Sequence, residues 1–182
     1  MARIQGRVPE TNPLDTDVLD INDPETSHPL VVDLDGTLLR SDLLMETAMT
    51  FIRSHPLQVF KLFGWLLKGK AALKEGLALN THIDVAVLPY DPEVISLIET
   101  ESAKGRTIVL ATASHDSLAV RIAEYLQLFD LVLASNADRN LSSHRKRDLL
   151  VEHFGEGGFD YVGNSRDDLA IWGAARHAIV VN

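Results

Sequence analysis

Short runs of consecutive apolar residues punctuate this chain, and each of the later ones follows a stretch with helical spacing. The first run is Leu30-Val31-Val32-Asp33-Leu34, and the same kind returns at 107–111, 131–134, 159–162 and 178–181. Because they are apolar on successive rather than alternate residues, these runs predict strands buried on both faces. One predicted helix opens at Asp91-Pro92-Glu93, with an N-cap and a proline at the first helical position, and stops at Gly105. Others cover about 116–126, about 144–154 closed by Gly155, and a stretch through Leu169 to Ala175. Strands alternating with helices of this length predict an α/β, Rossmann-like core whose parallel sheet is covered on both sides.

The segment between Leu38 and about Leu88 breaks the alternation, with two or three helical stretches, no strand, and interruptions at Pro56 and Gly69. An all-helical insert after the first strand would sit over the carboxyl ends of the strands, where α/β sheets bind ligands. The expected organisation is a core made of 29–40 and 89–182 and a small helical cap over 41–88. Residues 1–28 carry Pro9, Pro13 and Pro24 among six acidic residues and show no sustained period, so they are expected to form a disordered acidic arm.

A length of 182 residues suits one domain with a real core and a small insert. The net charge of −9, with no long basic block, argues against nucleic-acid binding. The absence of cysteine excludes disulfides, thiolate catalysis and Cys-type zinc sites. No secretory signal pattern opens the chain, and the longest apolar stretch, 57–67, contains Gln58 and Lys61 and is too short to span a bilayer. A cytoplasmic protein is expected, or one peripheral to the inner face of the membrane.

Asp33-Leu34-Asp35-Gly36-Thr37 is the strongest chemical signal. Asp33 closes a buried strand, and Asp35 lies where the chain leaves it, so both carboxylates can face one space. Such a pair can divide labour: one stays ionised and binds metal, while the other is held partly protonated by burial and repulsion. Gly36 permits the sharp exit from the strand. The plainer reading is an Asp-Gly turn with a helix cap at Thr37. Three further features follow strands. The Thr112 hydroxyl and the backbone N–H of Ala113 could hold phosphate oxygens, although a threonine there is more often an N-cap. Lys146 opens an amphipathic helix and could neutralise crowded carboxylates and phosphate. The loop Gly163-Asn164-Ser165-Arg166-Asp167-Asp168 offers the oxygen ligands that Mg2+ prefers. The seven histidines show no metal-ligand spacing; His115, after the Thr112 loop, is nearest to a candidate site.

In order and position these four features resemble the motifs of the haloacid dehalogenase (HAD) superfamily over roughly residues 30–181. The resemblance implies Asp33 as nucleophile, Asp35 as acid/base, and Thr112, Ala113 and Lys146 as phosphate-binding residues. It also implies Mg2+ held by Asp33, the backbone carbonyl of Asp35, Asn164 and Asp168. An acid at position 35 matches the family's phosphatases and phosphomutases. Asn164 departs from the pattern, standing where the family usually has an aspartate, which removes one negative charge from the metal site.

Longer phrases, among them Pro29–Asp42 in full, Leu88-Pro89-Tyr90, 109–114 and 158–165, resemble the HAD domain that precedes UbiA-type prenyltransferases. That closer resemblance implies a phosphorylated small-molecule or lipid-linked (prenyl) substrate. It also implies a membrane surface or prenyltransferase partner reached through the cap. In the cap, Gln58, Lys61, Trp65 and Lys68 form one stripe at helical spacing in otherwise apolar surroundings, as an interfacial helix needs; ordinary packing on neighbouring helices is the plainer reading. The expected activity is Mg2+-dependent hydrolysis of a phosphomonoester. Phosphoryl transfer to a second substrate is one rival, and a catalytically weak domain docking on a prenyltransferase is the other.

Overall fold

The computed structural model describes residues 27–136 and 140–181, so all of the expected acidic arm except Ser27 and His28 lies outside the described residues. Five strands form one parallel sheet: β1 (Leu30–Val32), β2 (Ile108–His115), β3 (Leu131–Ser135), β4 (Asp160–Gly163) and β5 (His177–Val180). Their lateral order is β3-β2-β1-β4-β5, which puts the shortest and most apolar strand in the centre. Leu30, Val32, Ile108 and Leu110 face one layer of helices and Val31, Val109 and Ala111 the other. The expected double-sided burial of successive residues is therefore met in β1, β2 and β4. It is not met in the edge strand β5, where Val180 is 65% exposed because, among the described residues, no strand or helix covers that side.

Three helices, α1 (Leu43–Ser54), α2 (Phe60–Leu67) and α3 (Lys70–Asn80), make up the insert after β1. The remaining four, α4 (Pro92–Ala103), α5 (Asp116–Leu126), α6 (Ser143–Phe154) and α7 (Leu169–Trp172), alternate with the later strands. Val94 and Ile98 of α4 and Leu118 and Ile122 of α5 pack on the first face, and Leu149 and Leu150 of α6 and Ile171 of α7 on the second. Asp91 caps α4 by accepting from Glu93 N (2.9 Å) and Val94 N (3.3 Å), with Pro92 in the first turn, as the sequence predicts. Two boundaries differ from the expectation. Strand β2 runs on through an irregularity as far as His115 instead of ending near Ala111, and α7 is a single turn rather than a helix reaching Ala175. Among the described residues, no helix is long and apolar enough to cross a membrane.

The amino end of the sheet is tied by a buried ion network. Asp160 accepts from Arg176 Nε (2.9 Å) and Nη2 (2.8 Å) and from Arg106 Nη2, while Arg106 Nε reaches the carbonyl of His28 at 2.6 Å. Burial pushes the Asp160 carboxyl up, but the two guanidiniums overrule it and hold it well below the ordinary carboxylate range.

The insert is seated by one aromatic residue. Trp65 turns inward, its ring 5.4 Å from that of Phe51, and lies flat over Gly76 of α3. A Cβ at Gly76 would come within 2.4 Å of the Trp65 ring, a collision. Replacing a helical glycine by alanine ordinarily gains about 1 kcal/mol. Here Gly76→Ala is expected to cost about 1–3 kcal/mol instead, because the ring has to leave its seat. Urea unfolding would measure this, and a more stable variant would refute the packing.

Candidate active site

Lateral strand order locates the site. The connections from β1 onward lead to β2 and β3 on one side, and the chain then crosses back to place β4 and β5 on the other. A crevice therefore opens outside the carboxyl ends of β1 and β4. Asp33 follows β1 directly and Asn164 follows β4 directly. After β1 the chain folds tightly back, with Leu38 N donating to Asp33 O (3.2 Å) and Leu39 N to Leu34 O (2.9 Å). Gly36 sits in that loop at φ +74°, and any side chain there would collide with Asn164. The glycine thus serves both the turn and the approach of the two loops.

Lys146, buried on the first turns of α6, donates to Asp33 Oδ1 at 2.6 Å and to the Tyr161 hydroxyl at 3.0 Å. Tyr161 is fully buried on β4 and donates in turn to Asp168 Oδ1 at 2.9 Å. The other oxygen of Asp168 accepts from Asn164 N (3.2 Å), Ser165 N (3.1 Å) and Ser165 Oγ (3.3 Å). Asp168 therefore latches the loop after β4 from behind, and Asn164 is the residue this latch holds toward Gly36. Asp35 is held by two donors, Ser114 Oγ on Oδ2 and Leu43 N on Oδ1, both at 2.7 Å. Leu43 opens α1, so the insert's first turn grips the second aspartate.

Asp33, Asp35, Lys146, Asn164, Asp168 and Ala113 all line one cavity of about 640 Å³. Thr112 does not reach its wall. It is fully buried inside β2, and its Oγ1 accepts from Ser114 N at 2.9 Å; the N-cap of α5 is His115, so Thr112 does not cap that helix either. His115 spends its ring on this capping, accepting from Ser117 N at the start of α5. Three contributors carried no separable signal in the sequence: Tyr161 reads as a strand residue, Ser114 as part of a loop and Lys74 as one of several cap lysines. Lys74 Nζ donates to Ala113 O at 2.7 Å.

Burial raises the Asp33 carboxyl to about 6; Lys146 opposes the rise, and the charges of Asp168 and Asp35 add to it. Burial likewise raises Asp35 above the usual aspartate range, against the hydrogen bonds from Leu43 and Ser114. No group of three Asp, Glu or His side chains among the described residues converges as a ready-made metal site. The side chains of Asp33 and Asn164 bring oxygen donors to the cavity that they line. Crowded acids that resist ionisation and oxygen-only donors suit a hard divalent cation, with fewer charges than a set of three carboxylates would bring.

Residues 30–171 match the model of the haloacid dehalogenase-like hydrolase family. The chain is 39% identical over 164 residues to the uncharacterised protein y4nM of Sinorhizobium fredii, which covers 90% of this chain and 32% of that protein. It therefore spans about a third of the length of this curated relative. A solved structure of a protein of unknown function from Bordetella pertussis Tohama I is similar at TM-score 0.65 and 15% identity, over 85% of this chain and 90% of that one. A phosphoserine phosphatase, solved as a phospho-aspartyl intermediate analogue, is similar at TM-score 0.57 and 16% identity, over 85% and 86% of the two chains. At these identities the structural likeness concerns the fold.

The raised Asp33 carboxyl has a consequence for stability. Between its ordinary value of 3.8 and about 6, the folded protein holds a proton that the unfolded chain has released. Metal-free protein should therefore lose stability as pH rises from about 4 through about 6, by roughly 3 kcal/mol from this group. Urea unfolding in EDTA across that range, for wild type and Asp33→Asn, isolates the contribution. Parallel profiles for the two proteins would show that Asp33 does not titrate there.

Proposed function

The chain belongs to the haloacid dehalogenase-like hydrolase family, and we propose that it is a Mg2+-dependent phosphatase acting on a small phosphomonoester through an aspartyl-phosphate. One observation carries this reading: Asp33 and Asp35 share a cavity with the buried Lys146 and with the loop around Asn164. The Asp33 carboxylate, the Asp35 carbonyl and Asn164 would hold Mg2+, with Asp168 fixing the loop behind them. When bound, the cation offsets the charge of the phosphoryl group and its repulsion of the attacking carboxylate.

Asp33 attacks phosphorus in line with the leaving oxygen, forming the O–P bond of the aspartyl-phosphate as the ester bond breaks. Asp35, whose raised pKa keeps it protonated further toward neutral pH than an ordinary aspartate, gives its proton to the departing alkoxide. It then takes a proton from the water that attacks the intermediate, which releases phosphate and restores Asp33. Lys146 and the backbone N–H of Ala113 hold the equatorial oxygens as charge redistributes. Thr112 supports this from beneath, by shaping the turn into Ser114.

Phosphate release from a panel of monoesters tests the reading. Wild type with Mg2+ should turn over at least one of them, and EDTA should abolish the rate. Asp33→Asn should lose about a thousandfold or more of kcat. Asn164→Asp, which restores a carboxylate, should lower the Mg2+ concentration for half-maximal rate by about tenfold. Turnover that survives Asp33→Asn would contradict the nucleophile.

A second reading concerns the insert's outer face. Leu57, Phe60, Phe63 and Leu67 are 88%, 69%, 66% and 90% exposed, and Lys61 and Lys68 flank them. Because Trp65 points inward, these residues rather than the tryptophan stripe form the greasy surface. Among the described residues the cavity offers only Leu44, Ala71 and Ala113 as apolar side chains, so a prenyl chain would have to lie along the outer face. On this evidence we propose that the cap rests on an anionic membrane surface or on a membrane partner such as a UbiA-type prenyltransferase. The two thirds of the y4nM protein outside the match leave room for such a region. Liposomes containing phosphatidylserine should float wild type, and Phe60→Ser/Phe63→Ser/Leu67→Ser should stay behind. Wild type remaining unbound would end this reading.

A further inference from the structure

Among the described residues four cations reach the cavity, and two are already committed. Lys146 is paired with Asp33 at 2.6 Å, and Arg40 Nε is paired with Asp91 at 2.8 Å. Lys70 and Lys74 line the same cavity from α3, one turn apart, so both project from one helix face. Neither makes an ion pair among the described residues. Lys74 is half-buried and spends one of its three donors on the carbonyl of Ala113.

Their position differs from that of Lys146. Lys146 acts on Asp33, the proposed nucleophile, whereas Lys74 acts on Asp35, the proposed acid that faces the leaving group. Burial makes the Lys74 ammonium easier to deprotonate; attraction to Asp35 and Asp42 opposes this, and repulsion from Lys70 and Lys146 adds to it. A partly desolvated ammonium that faces Asp35 and Asp42 without a direct ion pair to either has donors left for an incoming anion. Apart from Leu44, Ala71 and Ala113 the described lining is polar, so an uncharged alkyl leaving group would find little to contact.

We propose that Lys70 and Lys74 form an anion subsite on the leaving-group side, so that the substrate's alcohol carries a second anionic group, a carboxylate or a second phosphate. This rests on the phosphatase reading above and specifies its substrate class.

Calorimetric titration of the Mg2+-loaded protein with three non-hydrolysable probes decides it: ethylphosphonate, 2-carboxyethylphosphonate and ethane-1,2-bisphosphonate. At least one of the two charged analogues should bind about tenfold or more tighter than ethylphosphonate, and the tighter of them identifies the second group. Lys70→Gln/Lys74→Gln should shrink that preference to within about threefold, and Lys70→Arg/Lys74→Arg should keep it. Lys70→Gln alone, at an exposed position, should lose part of it, which covers the case of a double variant that fails to fold. Equal binding of the three probes by wild type overturns the subsite and leaves the phosphatase reading intact. So does a preference that persists in the folded Gln variants. If no phosphonate binds the Mg2+-loaded protein, the phosphatase reading falls and the subsite with it.

Discussion

The buried ammonium of Lys146 is the point on which the rest of the site depends. It joins α6 to β1 through Asp33 and to β4 through Tyr161, and Tyr161 passes the connection to Asp168 and so to the loop that carries Asn164. A lysine or an aspartate alone in that place would be expensive, because neither charge keeps its water. Together, with the phenol and the loop amides completing the hydrogen bonds, they are affordable, and removing one partner would strand the other. The network thus fixes how closely β1, β4 and α6 approach at the carboxyl end of the sheet.

A comparable network at the other end of the same sheet has the opposite electrostatic outcome. At Asp160 two guanidiniums surround one carboxylate, and it is held ionised well below the usual range. At Asp33 one ammonium faces several carboxylates, and burial wins, raising it to about 6. The ratio of charges decides between them. The amino end is satisfied as it stands, which suits a clasp that ties the sheet to the segment at His28. At the carboxyl end one ammonium does not fully compensate the burial of Asp33 beside Asp35 and Asp168.

The insert divides its work between its two faces. Its inner side brings polar groups to the core: Leu43 N on Asp35, Lys74 on Ala113, and Lys70 beside them. Its outer side carries large apolar residues that the fold leaves uncovered. Trp65 marks the division, since it leaves the outer surface to fill the space that Gly76 provides. Greasiness along this stretch therefore does not describe the chamber beneath it.

Much of this was legible in the residues themselves. The sequence alone determined that five strands alternate with helices, that the first break between them is wholly helical, and that Asp33, Asp35 and Gly36 stand at a strand's exit. These follow from local periodicity, caps and glycine freedom, which depend on near neighbours. Tertiary structure decided which distant groups meet. Lys146 and Asp33 lie 113 residues apart, and only the order β3-β2-β1-β4-β5 brings them together. It also turned Thr112 inward, made Asp168 a latch, gave Tyr161 two charged partners and faced Trp65 toward the core. No spacing rule foretells such assignments, because they depend on which side of each element remains open once the sheet and its helices have closed around it.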